Sequence, residues 1–272
     1  MSKVWFITGV SRGFGREWAL AALERGDSVA GTARDLSALD DLVVEYPDTF
    51  LPLRLDVTDR TGDIAAVQQT VDRFGRLDIV INNAGYGQFG MIEELSEEQV
   101  RAQFETNVFG ALWVTQAALP ILRAQGSGHI IQVSSIGGIT AFQNLGAYHA
   151  SKWAVEGFSQ SLAQEISPFG IHVTLLEPGT FGTEWAGLSA RHATPNSAYT
   201  AVRKARAAQR SAVPSGDPAA TRAAILAVVD AEQPPLRMFL GELPLAIATA
   251  DYESRLELWR RWQPIAAAAQ GD

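Results

Sequence analysis

The 272-residue chain contains no cysteine. Disulfides, cysteine nucleophiles and thiolate metal sites are therefore excluded, and the redox compartment is left open. Histidine is scarce too: His129, His149, His172 and His192 are scattered rather than spaced as ligands, so no metal is expected. No apolar stretch approaches membrane-spanning length. The opening run Met1-Ser-Lys-Val-Trp-Phe-Ile-Thr8 is too short for a signal peptide and lacks a small-residue cleavage pattern. The expectation is a cytoplasmic protein with no membrane partner. Basic residues are outnumbered, 22 Lys and Arg against 30 Asp and Glu, for a formal net charge of -8. That balance argues against nonspecific nucleic-acid binding. There is no Walker A pattern and no internal repeat, and Ser151 does not sit in a G-x-S-x-G elbow.

What is present is the composition of a soluble, enzyme-sized domain, 47% hydrophobic with Gly 24 and Pro 12. Seven short runs rich in apolar and β-branched residues read as strands: Val4 to Thr8, Val29 to Ala33, Thr49 to Val57, Leu77 to Ile81, His129 to Val133, Ile171 to Leu176 and Leu236 to Leu240. Helical patterns separate most of them. Strand and helix alternating in this way predict an α/β fold, a doubly wound parallel sheet with helices on both faces, in a single domain over 1–272. Ligands of such sheets bind outside the carboxyl ends of the strands.

Two stretches carry chemistry. The first is Thr8-Gly9-Val-Ser11-Arg12-Gly13-Phe14-Gly15, set between the first strand and a helix. There, backbone N–H groups and a helix N-terminus face an anion, and the glycines permit a tight turn. Alone it is also an ordinary β–α connection. The second runs from Ser135 to Lys152. A helix beginning near Ala147 puts Tyr148 and Lys152, four apart, on one face, and Ser135 lies across the loop. An ammonium near a phenol lowers the phenol's pKa toward a range useful for proton transfer. A serine hydroxyl can donate to a carbonyl oxygen as charge develops there. The plainer alternative is a packed tyrosine with a solvated lysine.

The chain resembles the classical short-chain dehydrogenase/reductase family over nearly its whole length. Tyr148-His-Ala-Ser-Lys152 is similar to the family's Tyr-x-x-x-Lys, and Ser135 stands thirteen residues earlier, where the family's catalytic serine is common; Ser134 fits that spacing less well. Thr8 to Gly15 matches Thr-Gly-x-x-x-Gly-x-Gly, and Asn82-Asn83-Ala84-Gly85 matches Asn-Asn-Ala-Gly. The resemblance implies a nicotinamide cofactor held by Gly9, Ser11, Arg12, Gly13, Phe14, Gly15, Asp56, Val57, Asn83, Ala84, Gly85, Tyr148, Lys152, Pro178, Gly179, Thr180 and Thr183. Asp56 and Val57 would meet the adenine, with a helix N-cap as the competing role of Asp56 or Asp59. Asn82 either ties strands together or touches the cofactor. Asn107 would hold a water on a proton path from Lys152, or be a locally bonded amide. Pro178-Gly179 is otherwise only a turn signal.

Arg34, at the end of the second strand, offers a fork suited to a 2′-phosphate, and Arg12 approaches from the glycine loop. By resemblance, such basic residues mark a preference for NADPH over NADH. Asp35 would oppose this if the register shifted by one, and solvated surface arginines are the alternative. Between Gly187 and Gly216 come Arg191, Arg203, Lys204, Arg206 and Arg210 without an acid, either to steer an anion or as a solvated helix face. The segment 181–216 is expected to cover a small-molecule carbonyl or alcohol substrate, with Phe181, Trp185 and Tyr199 as apolar contacts. A helical extension follows over 242–272, with Leu256, Trp259 and Trp262 facing the core or another subunit. The resemblance implies a homodimer or a homotetramer without choosing between them.

The resulting expectation is reduction of a ketone or aldehyde with Tyr148 as proton donor. Alcohol oxidation by the same residues, a non-catalytic nucleotide-binding protein of this fold, and an epimerase or dehydratase are the alternatives.

Overall fold

A computed structural model describes residues 2–271 apart from 184, 186, 188 and 212; the side chains of 209–211 also lie outside the description, and with them that of Arg210. In chain order the first half holds β1 (Val4–Ile7), α1 (Gly13–Glu24), β2 (Ser28–Ala33), α2 (Asp40–Glu45), β3 (Phe50–Arg54), α3 (Arg60–Phe74), β4 (Ile79–Asn82), β5 (Gln88–Phe89), α4 (Glu97–Phe104) and α5 (Ala111–Gln125). The second half holds β6 (Gly128–Val133), α6 (Gly146–Ile166), β7 (Ile171–Pro178), β8 (Arg191–His192), α7 (Thr200–Ser211), α8 (Arg222–Asp230), β9 (Arg237–Leu240) and α9 (Leu243–Ala268).

Seven strands form one parallel sheet in the order β3-β2-β1-β4-β6-β7-β9. The order reverses beside β1, and that switch point places the β1 and β4 loops side by side at the carboxyl edge. The sheet is covered on both faces, which explains why β1 reads as an unbroken apolar run. Its alternate residues serve different layers: Trp5 and Ile7 join Trp18, Val29 and Ile225 on one face, while Phe6 joins Val80, Val114, Leu122 and Leu162 on the other. Trp5, Phe6 and Trp18 are wholly buried, each stabilising the fold by about 1.5–3 kcal/mol relative to exposure.

Several boundaries differ from expectation. The third strand stops at Arg54 rather than Asp56, because Asp56 turns to accept from Thr58 N and Oγ1. Asp59, not Asp56, caps α3, accepting from Thr61 N and Gly62 N. Strand β7 runs on through Glu177 to Pro178, paired with β9. Helix α4 opens with Ser96 and Gln99 in a reciprocal cap, and the chain then passes through a π-helical turn over Glu105–Gly110 before α5. Pro120 lies inside α5, which continues to Gln125. A second, two-stranded sheet pairs β5 with β8, a feature absent from the sequence reading. Helix α9 runs from Leu243 to Ala268, inside the segment 242–272. Its first turns pack on Ile136 and Ile139, but Leu256, Trp259 and Trp262 stay exposed instead of meeting the core.

Candidate active site

A cleft of about 1450 Å³ opens along the carboxyl edge of the sheet. It is lined by residues from both motif stretches, including Gly9, Arg12, Gly13, Arg34, Asp56, Asn83, Gly85, Ser135, Tyr148, Lys152, Thr180 and Thr183. Ser11, Phe14, Val57, Ala84, Pro178 and Gly179 complete the expected set along its wall. Two expected members are not on the wall. Gly15 faces the protein: a Cβ there would meet Asn83 Nδ2 and the Gly9 carbonyl oxygen, so the residue serves helix–strand packing. Asn107 stands behind Gly85, buried in the π-helical turn.

The glycine loop suits an anion. Gly9 and Gly13 have φ of 73° and 61°, conformations that favour glycine. Helix α1 begins without a side-chain cap and without an acid in its first turn, leaving N–H groups and the positive end of the helix dipole toward the cleft. The space a Cβ would occupy at Gly13 meets only Thr183, at 3.7 Å. These features fit a dinucleotide pyrophosphate. Arg12 and Arg34 are exposed at the same end. Asp35 does not compete, since its carboxylate accepts from Ser37 N and Oγ at 3.1 and 2.9 Å. Asn82 donates to Thr115 Oγ1 at 2.9 Å, tying β4 to α5, and it does not line the cleft.

At the other end, Tyr148 is packed under Trp185, ring centroids 4.8 Å apart. Its hydroxyl hydrogen-bonds Ser135. Ser135 Oγ accepts from Gly137 N at 3.0 Å, which leaves its own proton to be donated. Ser134 also lines the cleft, but its Oγ lies beside Gly138 and makes no hydrogen bond among the described residues. Lys152 donates to the Val133 carbonyl at 2.7 Å, with Nζ 5.8 Å from the centre of the Tyr148 ring. Burial pushes the Tyr148 phenol up to about 12, opposed by the Ser135 hydrogen bond. This reverses the expected lowering: the lysine's charge, held at Val133, does not outweigh desolvation. Burial takes Lys152 down to about 8, opposed by Glu156. Asn107 accepts from Tyr86 N and donates to Tyr86 O, both at 3.1 Å, and donates to Ser151 Oγ at 3.2 Å. It fastens the strand-end loop to the helix bearing Tyr148 and Lys152.

The covering segment is assigned differently from expectation. Trp185 reaches the site, against Tyr148 and Phe89. Phe181 packs edge-on against Phe14 at 5.0 Å, at the glycine-loop end, and Tyr199 lies off the cleft with its hydroxyl donating to Glu93. The basic residues are engaged locally: Arg203 pairs with Glu94 at 2.7 Å, Arg206 rests on Phe142 and Arg191 on Tyr86. The sequence reading missed His149. Its Nε2 accepts from Phe142 N at 2.9 Å and its Nδ1 lies 3.0 Å from Gly137 O, so the imidazole clamps the loop that begins at Ser135. Phe89, Phe142 and His192 also line the cleft. Among the described residues there is no acid–histidine group able to hold a metal ion, and no helix is long and apolar enough to cross a membrane.

Residues 3–193 match the family model for short chain dehydrogenase. The chain is 41% identical to the oxidoreductase BOA17 of Botryotinia fuckeliana, over 99% of this chain and 100% of that protein. A short-chain dehydrogenase from Streptomyces avermitilis superposes with a TM-score of 0.93 at 40% identity, covering 98% of each chain. Two more distant structures, each 25% identical, hold nucleotides. One from Burkholderia phymatum is complexed with NAD (TM-score 0.80; 94% and 95% covered), and one from Burkholderia cenocepacia with NADP (TM-score 0.77; 96% and 97% covered).

Proposed function

The chain belongs to the short-chain dehydrogenase/reductase family, with an NAD(P)-binding fold and oxidoreductase activity on carbonyl or alcohol substrates, and from that premise we propose that it is an NADPH-preferring reductase of ketones or aldehydes. The observation that carries this reading is the pairing of Ser135 with Tyr148: the phenol hydrogen-bonds Ser135 and lies under Trp185, so a carbonyl oxygen seated between them would meet both hydroxyls. Burial raises the Tyr148 phenol, which supports a group that holds its proton until such an oxygen takes it.

A bound nicotinamide supplies the hydride. The chain's own residues do the rest. Ser135, its Oγ oriented by Gly137 N, donates to the carbonyl oxygen of the substrate and stabilises the charge that develops on it. Tyr148 then delivers its proton to that oxygen. Lys152 stands on the same helix face, would hold ribose hydroxyls of the bound cofactor, and would stabilise the phenolate left behind. Asn107 keeps the Tyr86 loop and α6 in register. Trp185 and Phe89 give the reacting end an apolar wall that excludes water and favours an apolar carbonyl substrate. The preference for NADPH is supported by Arg12 and Arg34 at the glycine-loop end and by the diversion of Asp35 into its own turn.

The test is NADPH and NADH consumption against a panel of carbonyls, with Tyr148→Phe alongside. The variant is expected to lose roughly 100- to 10,000-fold in kcat while binding NADPH as before. Turnover undiminished in Tyr148→Phe would sink the assignment.

A further inference from the structure

A second group of buried ionisable side chains lies directly behind the cleft. Glu156 follows Lys152 by four residues on α6, so both project from one helix face, and both are buried, at 6% and 7% exposure. Glu177, from β7, is wholly buried. Among the described residues neither of its oxygens makes a hydrogen bond; beside it lies the Glu156 carboxyl, whose Oε1 is likewise unpaired. Arg237 of β9 donates from Nε to Glu156 at 2.9 Å, stands 3.5 Å from Glu177, and sends its other arm to Gln160.

Two buried carboxyl groups side by side disfavour ionising together. Burial, reinforced by the neighbouring Glu156, pushes Glu177 well above the usual carboxylate range. The guanidinium lies nearer to Glu156. Glu156 is therefore the carboxylate that pairs with Arg237, at 2.9 Å, and Glu177 the carboxyl that keeps a proton. The Glu156 charge is the one opposing the desolvation of Lys152. The other charged groups around the cluster are few. Asp251 and Arg255 of α9, packed over the adjoining 136–138 turn, pair with each other at 2.7 Å, and Tyr148 is neutral.

We propose that Glu156, backed by Glu177 and Arg237, is an electrostatic positioning residue that keeps the Lys152 ammonium charged inside the buried site. Its effect on turnover rests on the reductase reading above; its effect on Lys152 does not. Without Glu156, the lysine would shed its proton within the pH range in which it must stabilise a phenolate. Glu177 holds the pair to a single charge, which prevents a second buried carboxylate from competing for Arg237.

The experiment follows the titration of Lys152 by NMR of 13C,15N-lysine-labelled free protein, in wild type, Glu156→Gln and Glu177→Gln; Lys152→Met assigns the signal. Both glutamines are isosteric and keep hydrogen-bonding partners. Glu156→Gln is expected to lower the Lys152 midpoint by about one pH unit, a tenfold change in the amine-to-ammonium ratio. Glu177→Gln, mimicking the protonated carboxyl, is expected to leave it within a few tenths of a unit. The alkaline limb of kcat/KM should move down in Glu156→Gln alone. A merely structural role predicts similar destabilisation in both variants with no displaced titration. An unmoved Lys152 in Glu156→Gln, or an equal displacement in Glu177→Gln, would overturn the proposal. The lysine signal needs neither substrate nor cofactor, so failure to find a carbonyl substrate would leave it intact, and a flat titration would end it even in an active reductase.

Discussion

The side-chain amide of Asn83 donates to the Gly9 carbonyl at 2.9 Å and to that of Thr8 at 2.8 Å. The end of β4 thus holds the turn that follows β1, and the two loops flanking the switch point behave as one piece. Thr8 returns the contact, its Oγ1 accepting from the N–H groups of Asn83 and Ala84 at 2.9 and 3.0 Å. Both N–H groups of the Asn83 amide are spent inside the protein, so beside the cleft the side chain acts as a brace.

Gly15 fills the space under that brace. In Gly15→Ala the new methyl would press on Asn83 Nδ2 and the Gly9 oxygen, and since one is a bonded amide and the other backbone, neither yields freely. Overpacking of this kind costs about 1–3 kcal/mol, and the displaced Gly9 turn should weaken dinucleotide binding as well. Thermal denaturation and a fluorescence titration with NADPH would show both losses together. A variant with unchanged melting temperature and unchanged affinity would refute the bracing role.

Arg34→Ala separates the two cofactors. A charge-assisted hydrogen bond to a phosphate contributes about 1.5–3 kcal/mol, so NADPH should bind roughly 10- to 100-fold more weakly, while NADH, which lacks that phosphate, should change little. Parallel titrations of the two nucleotides decide the matter; equal losses for both would assign Arg34 to loop structure.

How far the sequence spoke for itself can be judged residue by residue. Gly9, Ser135, Tyr148 and Lys152 were legible because their spacing is local: one turn of helix or one tight loop sets each relationship. The seven strands were legible for a similar reason, as two-sided burial forces continuous apolar runs. The β5–β8 ladder was not, because Gln88 and Arg191 are joined by a register set far along the chain, and two-residue strands leave no period. Tyr199 was misplaced because an aromatic residue in an irregular segment carries no sign of which way it faces. The phenol's state was inverted because the sequence shows the ammonium but not the desolvation that outweighs it. His149 was hidden inside the Tyr-x-x-x-Lys motif, where the intervening positions read as free.

That imidazole gives a prediction of its own. His149→Phe would keep a ring in place but strand the Phe142 N–H, at a cost of about 1–3 kcal/mol if it is left unpaired, while the Gly137 carbonyl keeps its bond from Trp153 Nε1 at 3.1 Å. The loop from Ser135 should loosen, lowering the melting temperature by several degrees and reducing kcat more than cofactor affinity. Thermal melts paired with steady-state kinetics would check this; a variant of wild-type stability would show that water replaces the bond to Phe142 N.

Asp63 supplies a pH-dependence distant from the chemistry. It is wholly buried on α3, both carboxyl oxygens lack a hydrogen-bond partner among the described residues, and its neighbours Asp59 and Asp56 add to the effect of burial. Its pKa rises from 3.8 to about 7, so the folded protein keeps a proton there that the unfolded chain releases at lower pH. Below about 4 both states are protonated and the full stability is present. Between about 4 and 7 the unfolded state ionises first, and each step upward in pH favours unfolding; above about 7 both states are ionised and the loss is complete. Asp63→Asn cannot ionise and should abolish this slope. The variant and the wild type should therefore melt at similar temperatures near pH 4.5, with the variant clearly more stable at pH 8. The sign is opposite to that of a salt-bridged carboxylate, which stabilises at high pH and fails in acid. Melting curves across that range would distinguish the two, and a variant less stable at pH 8 than the wild type would mean that Asp63 works as a charged, partnered group.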